Sequence, residues 1–425
     1  MTSLLPFLQR LRPFLLNLIF LYFLSTPANG EHSPIPKYWK TTGHGYVIEV
    51  IDDTMSFYDV TEEACVKIRF VSLDYENTPA SRWITTYSNG NTEIDWNALH
   101  PTELIQLDTL PLACQSADKQ NLDPVKNFDV FWATYAEHFP YGAKQNWHWK
   151  ERYPIWRSMV TKDTNEKQLA DIFSIIINQV RDGHASLVDS DGDVLGDIEP
   201  RLLAYEYRLQ QAWKQDSNYV YLWPFVNEHF HQWENIIVNN YTVDKKVDTY
   251  YDNFYFATLK NNISYLRIDS MIGFTKDDSY ESWLNAVDDT MEKIIPFINQ
   301  TNGLVIDLRS NGGGTDLVSL QLLSYLFDNK TRIGAKATVV HGQPEPPKDI
   351  WLFPAGSAAY LGPIVALTSQ GTASAAEIML MGLTTREKTT IIGEPSNGSF
   401  SDILPKQLPN GWLLGLSHQV YLDVN

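Results

Sequence analysis

The stretch Val305-Ile-Asp-Leu-Arg-Ser-Asn-Gly-Gly-Gly-Thr-Asp316 runs from an apolar segment through three consecutive glycines into a helical pattern. It predicts a buried strand, a tight turn and a helix over 315–327. Glycines let backbone amides approach a ligand closely, and a helix N-terminus adds partial positive charge. The stretch fits neither glycine-rich nucleotide-binding pattern and no lysine follows, so it favours an oxyanion-binding turn. A turn needed only for tight packing is the alternative.

Strands and helices alternate on both sides of this turn. The predicted strands are Ile263–Ile268, Leu304–Leu308, Pro363–Thr368 and Thr389–Gly393, and the predicted helices are 280–298, 315–327 and Ser374–Leu383. Such alternation predicts an α/β layer with mostly parallel strand pairing.

A second junction places a serine where a strand turns into a helix, in Leu367-Thr-Ser-Gln-Gly-Thr-Ala-Ser-Ala-Ala-Glu377. A hydroxyl at Ser374 would lie at the positive end of the helix dipole, and the next amide could hydrogen-bond a developing oxyanion. A helix N-cap is the commoner role of such a serine. Glu377, three residues on, has the spacing of a capping-box partner.

A histidine follows a helical pattern that begins at Asp163, with Glu166 three residues on as in a capping box. The pattern ends in Arg181-Asp-Gly-His184, where glycine stops the helix. Histidine has a pKa near working pH and can take a proton from a serine in the transition state. A surface or capping histidine is the alternative interpretation of His184.

The remaining organisation follows from composition shifts and turn signals. We predict a small, mostly antiparallel β domain over 31–118, a helical cap over 119–190 and an α/β core over 191–425. Asp123-Pro124 has the form of a helix N-cap followed by proline at the first helical position. The only two cysteines, Cys65 and Cys114, both lie in the β domain, which favours one disulfide over two buried free thiols.

The N-terminus has the layout of a secretory signal peptide. Residues 1–30 contain Arg10 and Arg12, then an apolar run, then Ser-Thr-Pro-Ala-Asn-Gly30. The apolar run is shorter than the roughly 20 residues that span a bilayer, so we expect cleavage and no stable membrane span. The sequence therefore predicts a secreted or periplasmic protein.

The net charge of the chain excludes one class of binding partner. The chain has 33 basic and 51 acidic residues, a formal charge of −18. Such a surface repels phosphate backbones, so nucleic acid is excluded as a partner. Hydrophobic content is 44% and charged content 20%, which is typical of a folded soluble protein.

Four motifs in order resemble the S41 serine peptidases, the carboxyl-terminal processing and tricorn-core-like group. They are Arg181–His184, Ile306–Gly314, Gly371–Glu377 and Ile392–Gly398, and the likeness covers about 122–425. The resemblance implies a helical cap leading into a crotonase-like or ClpP-like α/β core. It implies a protein or peptide substrate and no cofactor.

The resemblance also implies roles for individual residues. Ser374 would be the nucleophile and His184 the general base. Gly313 or Gly314, with Ala375, would supply the oxyanion amides. Together these roles predict a serine endopeptidase that works through an acyl-enzyme.

Two departures from the family pattern keep a second interpretation open. The processing branch has a lysine base where this chain has Ser399, and the nearest lysine, Lys406, lies beyond the motif. The tricorn-like branch has a later acid, expected near or beyond Asn425, so the chain appears shortened relative to the family and Asp402 is a weak stand-in. The alternative is therefore an inactive S41-like protein that binds a peptide or an apolar ligand.

Three further patterns carry little weight. His229 and His231, near two glutamates, lack a zinc-protease spacing, so we expect no metal site. Residues between His184 and Ile263 contain no glycine-rich carboxylate-binding loop, so no PDZ domain is expected. Oligomeric state and cleavage specificity leave no signal in the sequence.

Overall fold

The structure is a computed structural model of the chain. It describes residues 37–69, 78–117, 120–142, 147–195, 204–216, 218, 221–356 and 359–424. The expected signal peptide at 1–30 lies outside the described residues. No helix in the described ranges is both long and apolar enough to cross a membrane.

The N-terminal part forms one antiparallel sheet, with strand order β4-β3-β2-β1-β7-β6-β5. Its elements are β1 (Lys37–Thr41), β2 (Tyr46–Ile51), β3 (Thr54–Val60), β4 (Cys65–Lys67), the short helix α1 (Ala80–Trp83), β5 (Ile84–Thr86), β6 (Thr92–Ile94), β7 (Thr102–Leu107) and a 3-10 turn (Leu112–Ser116). A Cys65–Cys114 disulfide joins β4 to this last turn, which confirms the predicted pairing. Both cysteines are buried against Val47 and Tyr58.

Three helices lie within 119–190, the range predicted as a helical cap: α2 (Pro124–His138), α3 (Trp149–Arg157) and α4 (Glu166–Val180). Asp123 caps α2 as predicted, since its side chain accepts from the amide of Val125. The predicted start of α4 at Asp163 is wrong. Asn165 and Gln168 form the capping box instead, because their two side chains satisfy each other's backbone amides.

The core sheet has the order β17-β16-β12-β11-β10-β9. Its strands are β9 (Asp248–Tyr250), β10 (Phe254–Leu259), β11 (Ile263–Ile268), β12 (Gly303–Asp307), β16 (Ile364–Thr368) and β17 (Thr389–Gly393). Strands β11, β12, β16 and β17 pair in parallel, whereas β9 and β10 are antiparallel, so the predicted α/β layer is confirmed.

Helices α7 (Tyr280–Ile298), α8 (Asp316–Ser324) and α9 (Ala375–Thr384) pack with this sheet around the largest buried core. The chain reaches them from α5 (Ala204–Gln215) and α6 (Leu222–Asn240), which lie in the stretch that carried little sequence signal.

Two small sheets complete the fold. One contains β13 (Thr331–Val340), β14 (Gln343–Pro344), β15 (Lys348–Leu352) and β20 (Gln419–Leu422). The other has the order β18-β19-β8, from β18 (Ile403–Gln407), β19 (Leu413–Ser417) and β8 (Ser186–Val188). Because β8 directly follows the Asp182–His184 turn, its pairing with β19 brings that turn to the C-terminal strands.

Candidate active site

Ser374 lies at the junction between β16 and α9, in a backbone conformation that side chains rarely adopt. Its φ is 52° and its ψ is −125°, and it is the N-cap residue of α9. A positive φ at a residue other than glycine is strained and persists where the surroundings enforce it. Its amide donates to Glu377 Oε2 at 2.9 Å, and its carbonyl accepts from the amide of Glu377 at 2.7 Å. A hydroxyl is therefore held at the positive end of a helix, half-buried, as the sequence predicts.

The glycine-rich turn packs directly against this serine. A Cβ added to Gly313 would lie 2.7 Å from Ser374 Cβ and 3.0 Å from Ala375 N, so only glycine fits at this φ of 97°. The two junctions singled out in the sequence are thus brought together.

The backbone amides around the glycine-rich turn differ in whether they already have a hydrogen-bond acceptor. Gly313 N–H donates to Asn311 Oδ1 at 2.9 Å, and the buried Asn311 is itself fixed by donating to Ile268 O at 3.0 Å. Among the hydrogen bonds of the described residues, none uses the amide of Gly314 or of Ala375. These two amides are available to a ligand, whereas the amide of Gly313 is already engaged.

His184 is held by a hydroxyl and a carboxylate. Its Nδ1 lies 3.2 Å from Ser417 Oγ, and Ser417 Oγ lies 2.7 Å from Asp182 Oδ1. A serine hydroxyl has one proton, and the carboxylate takes it, so Ser417 Oγ accepts from His184 Nδ1–H. Asp182 also accepts from the amides of His184 (3.0 Å) and Ser417 (2.9 Å). This network leaves Nε2 as the unprotonated nitrogen.

The electrostatics keep this imidazole neutral. Burial lowers the pKa of His184, and the charges of Asp182 and Asp402 oppose that effect without reversing it. A neutral imidazole with a free Nε2 is the form that can accept a proton.

The histidine and serine segments meet through the loop that follows β17. Gly183 lies against Ser399, whose Cβ would be 3.3 Å from a Cβ added to Gly183. The amide of Ser399 donates to Glu377 Oε2 at 2.9 Å, the same oxygen that accepts from Ser374. No direct hydrogen bond joins Ser374 to His184 within the described part of the chain.

The two residues weighed as other catalytic members have different partners. Lys406 Nζ lies 2.9 Å from Asp59 Oδ1 and 4.1 Å from the centre of the Tyr46 ring, and it is buried. Asp402 pairs with Lys336 Nζ at 2.8 Å. Burial would raise the pKa of Asp402, but the Lys336 ammonium holds it well below its usual range. Each charge is committed to a partner outside the Ser374–His184 pair.

Two contacts were missed in the sequence analysis: that of Ser417 with His184, and those of Glu377 with the loop after β17. Ser417 is 233 positions from His184, and nothing in its local sequence marks it. Within the described ranges, no group of three or more His, Cys, Asp or Glu side chains has the arrangement of a metal site.

Comparison with known proteins identifies the class. Residues 262–425 match the model of peptidase family S41. A candidate peptidase from Parabacteroides merdae ATCC 43184 has a similar structure, with a TM-score of 0.54 and 22% identity over 72% of this chain and 86% of that chain. Mature CPAF has a TM-score of 0.51 and 11% identity over 71% of this chain and 89% of its own.

The match over residues 262–425 agrees with the S41 family that the motifs predicted, and it supports a serine-type peptidase. The fold is the ClpP-like α/β fold that the resemblance implied.

Proposed function

We propose that this protein is a secreted or periplasmic serine endopeptidase with Ser374 as nucleophile and His184 as general base. The observation that carries the proposal is the strained Ser374, which caps α9 directly against Gly313. Strain of this kind is retained where it aims a reactive side chain. The Cys65–Cys114 disulfide supports an oxidising compartment.

The proposed reaction is acyl transfer. Ser374 Oγ attacks the scissile carbonyl carbon while His184 Nε2 takes the hydroxyl proton. The carbonyl oxygen becomes an oxyanion that the amides of Gly314 and Ala375 hydrogen-bond. His184 then gives the proton to the leaving amine, and an acyl-enzyme remains on Ser374. Water attacks its carbonyl carbon while His184 Nε2 takes a proton from the water. His184 returns that proton to Ser374 Oγ as the carboxylic acid product leaves.

Ser417 and Asp182 act on His184 in this scheme as positioning residues. The Asp182 carboxylate fixes the hydroxyl of Ser417, which accepts from Nδ1–H and holds the tautomer in which Nε2 is unprotonated. In this proposal the acid is Asp182, two residues before the histidine, and it acts through the hydroxyl of Ser417.

The test is labelling by a serine-reactive fluorophosphonate, followed by peptide mapping, together with hydrolysis of an unfolded protein substrate. We expect the label on Ser374 and a rate loss of about 10⁶-fold in both Ser374→Ala and His184→Ala, without additivity in the double variant. Ser158→Ala, at an exposed serine, is the matched control. Full hydrolysis by Ser374→Ala would reject the nucleophile, and an unlabelled wild-type protein would favour a binding protein on this fold.

A further inference from the structure

Glu377 is a fully buried carboxylate beside the nucleophile. Its exposed fraction is 0%. Oε2 accepts from the amides of Ser374 and Ser399, both at 2.9 Å, and Oε1 accepts from the amide of Gly398 at 2.7 Å. No ion pair within the described part of the chain involves this carboxylate. Its charge is held by these three backbone amides and by the side chain of Ser396, without a counter-ion.

A helix cap does not require this arrangement. A capping box needs one side-chain oxygen for the N-cap amide, and glutamine serves as well as glutamate. Burying a charge without a counter-ion is costly unless several donors satisfy it. Burial does raise the pKa of Glu377, against the lowering effect of its hydrogen bonds to Ser396, Gly398 and Ser374. An oxygen that binds two amides from different segments does more than end a helix.

The three amide donors belong to two segments of the chain, and the proposed reaction depends on the relative position of these segments. One donor is Ser374 itself, at its strained φ of 52°. The other two lie at the tip of the loop after β17, where Ser399 contacts Gly183, the neighbour of His184. One carboxylate therefore links the nucleophile segment, through one loop, to the segment that holds the base.

We infer that Glu377 is a positioning residue that holds Ser374 in its strained conformation and sets its distance from the histidine turn. This inference rests on the proposed function for its effect on rate, but the structural link does not. Loss of the carboxylate should allow the loop at 396–400 and the backbone of Ser374 to relax independently.

The first experiment compares wild type with Glu377→Gln, which keeps the shape and removes one of the two acceptor oxygens. We expect the fluorophosphonate labelling rate and kcat to fall about 100-fold, with KM within about twofold, because a misplacement of about 1 Å costs on that order. Glu377→Asp keeps the charge on a shorter stem and should recover part of the labelling rate. Glu281→Gln, in the first turn of α7 and exposed, is the matched control.

The second experiment does not depend on activity. Amide hydrogen exchange, measured by mass spectrometry, should become faster in the peptides covering 371–400 of Glu377→Gln and stay unchanged elsewhere. Gly183→Ala tests the link from the other side, since its methyl group would press on Ser399, and it should slow labelling without adding to the effect of Glu377→Gln.

The outcomes separate the two proposals. Unchanged labelling and unchanged exchange in Glu377→Gln would overturn the positioning role, and so would an equal loss in Glu281→Gln. If wild type takes no label on Ser374, the proposed function fails, and hydrogen exchange alone then decides the role of Glu377. If Glu377→Gln does not fold, Glu377→Asp and Gly183→Ala decide it by the same readouts.

Discussion

Two buried charges in this molecule, those of Glu377 and Lys406, are stabilised in opposite ways. Glu377 is satisfied by three backbone amides and by the side chain of Ser396, all within 22 positions of it along the chain. Lys406 is satisfied by Asp59, by the carbonyl of Gly45 at 3.3 Å and by the face of Tyr46, all more than 340 positions away. The first charge shapes a turn, whereas the second joins the N-terminal sheet to β18.

The partners of Lys406 explain why this lysine is not a second candidate for the general base, although it follows the Ile392–Gly398 motif closely in the sequence. Lys406 is 2% exposed, and its Nζ donates to Asp59 and to the carbonyls of His44 and Gly45, so its donors are directed to the N-terminal sheet and not to Ser374. Asp59 also accepts from the amide of Gln407, so the pair is anchored on both sides. The contacts of Lys406 are structural, which leaves the role of general base in our proposal to His184.

Replacing Lys406 should have the largest effect on stability. Lys406→Met fills the same volume but leaves Asp59 buried without its cation, so we expect a loss of about 3–5 kcal/mol in the free energy of unfolding. Urea unfolding followed by tryptophan fluorescence measures it. Fluorophosphonate labelling of Ser374 should persist wherever the variant is still folded.

The double variant Asp59→Leu/Lys406→Met sharpens this test. Replacing both partners removes the unpaired charge, so the double variant should be more stable than Lys406→Met alone. A Lys406→Met protein that is as stable as wild type but no longer labels would contradict the structural role and return the lysine to the catalytic site.

The features that could be predicted from the sequence are local ones. The strand-glycine-helix junction at Gly312–Gly314 and the serine at the start of α9 were visible because each is a run of adjacent residues with a strong conformational preference. The two cysteines could be paired because no other partner existed. The start of α4 was misjudged because Asp163 and Asn165 both have capping side chains, and only packing selects between them.

The features that could not be predicted depend on long-range contacts. Ser417 reaches His184 only because β8 pairs with β19, and a strand pairing across more than 200 residues leaves no mark in either segment. The engagement of the Gly313 amide by Asn311 depends on a carbonyl in β11 that orients the asparagine. Because of the first contact, we assign Ser417 to the positioning of His184. Because of the second, we assign the oxyanion to the amide of Gly314 and not to that of Gly313.

Removing the hydroxyl of Ser417 should have an intermediate effect, on rate and not on stability. In Ser417→Ala the Nδ1–H of His184 loses its acceptor, so the tautomer is no longer fixed. We expect kcat to fall about 10- to 100-fold, well short of the roughly 10⁴-fold cost of losing a carboxylate bonded directly to the base. KM should change little, and the acid limb of the pH–rate profile should move.

Ser417→Thr is the matched control for this prediction, since it keeps a hydroxyl at the same place. It should retain most of the activity. Equal rates in Ser417→Ala and wild type would show that the hydroxyl does not orient His184.

The last expected effect concerns acid, and it acts on the interface around Lys406. Three histidines lie there, of which His138 and His418 are buried and His44 is half-buried: the rings of His44 and His418 lie 5.1 Å apart, and His138 lies against Gly45. Burial lowers the pKa of His44 to about 4 and also lowers the pKa of His138 and His418 well below 6.5.

The charged groups around these rings oppose one another. Lys406 lowers the pKa of His44 and His138, and Lys336 lowers the pKa of His44 and His418. The Asp402 carboxylate partly offsets these effects on His44 and His418. His341 adds a further lowering effect on the pKa of His138. The folded protein therefore keeps the three imidazoles neutral in a pH range where the unfolded chain protonates them.

The sign of the pH dependence follows from those depressed pKa values. Stability from His44 is complete above pH 6.5, and it decreases as the pH falls from 6.5 toward about 4, because only the unfolded chain binds the proton. The lowered pKa values of His138 and His418 act in the same direction. The loss is about 1.4 kcal/mol per pH unit for each histidine. Urea unfolding at pH 8, 6.5 and 5 measures it.

His44→Gln should reduce the slope of the free energy of unfolding against pH, below pH 6.5, by the equivalent of about one proton. His148→Gln, at an exposed position, controls for the loss of an imidazole as such. If His44→Gln and wild type lose stability at the same rate on acidification, the interface histidines are not what makes the fold sensitive to acid.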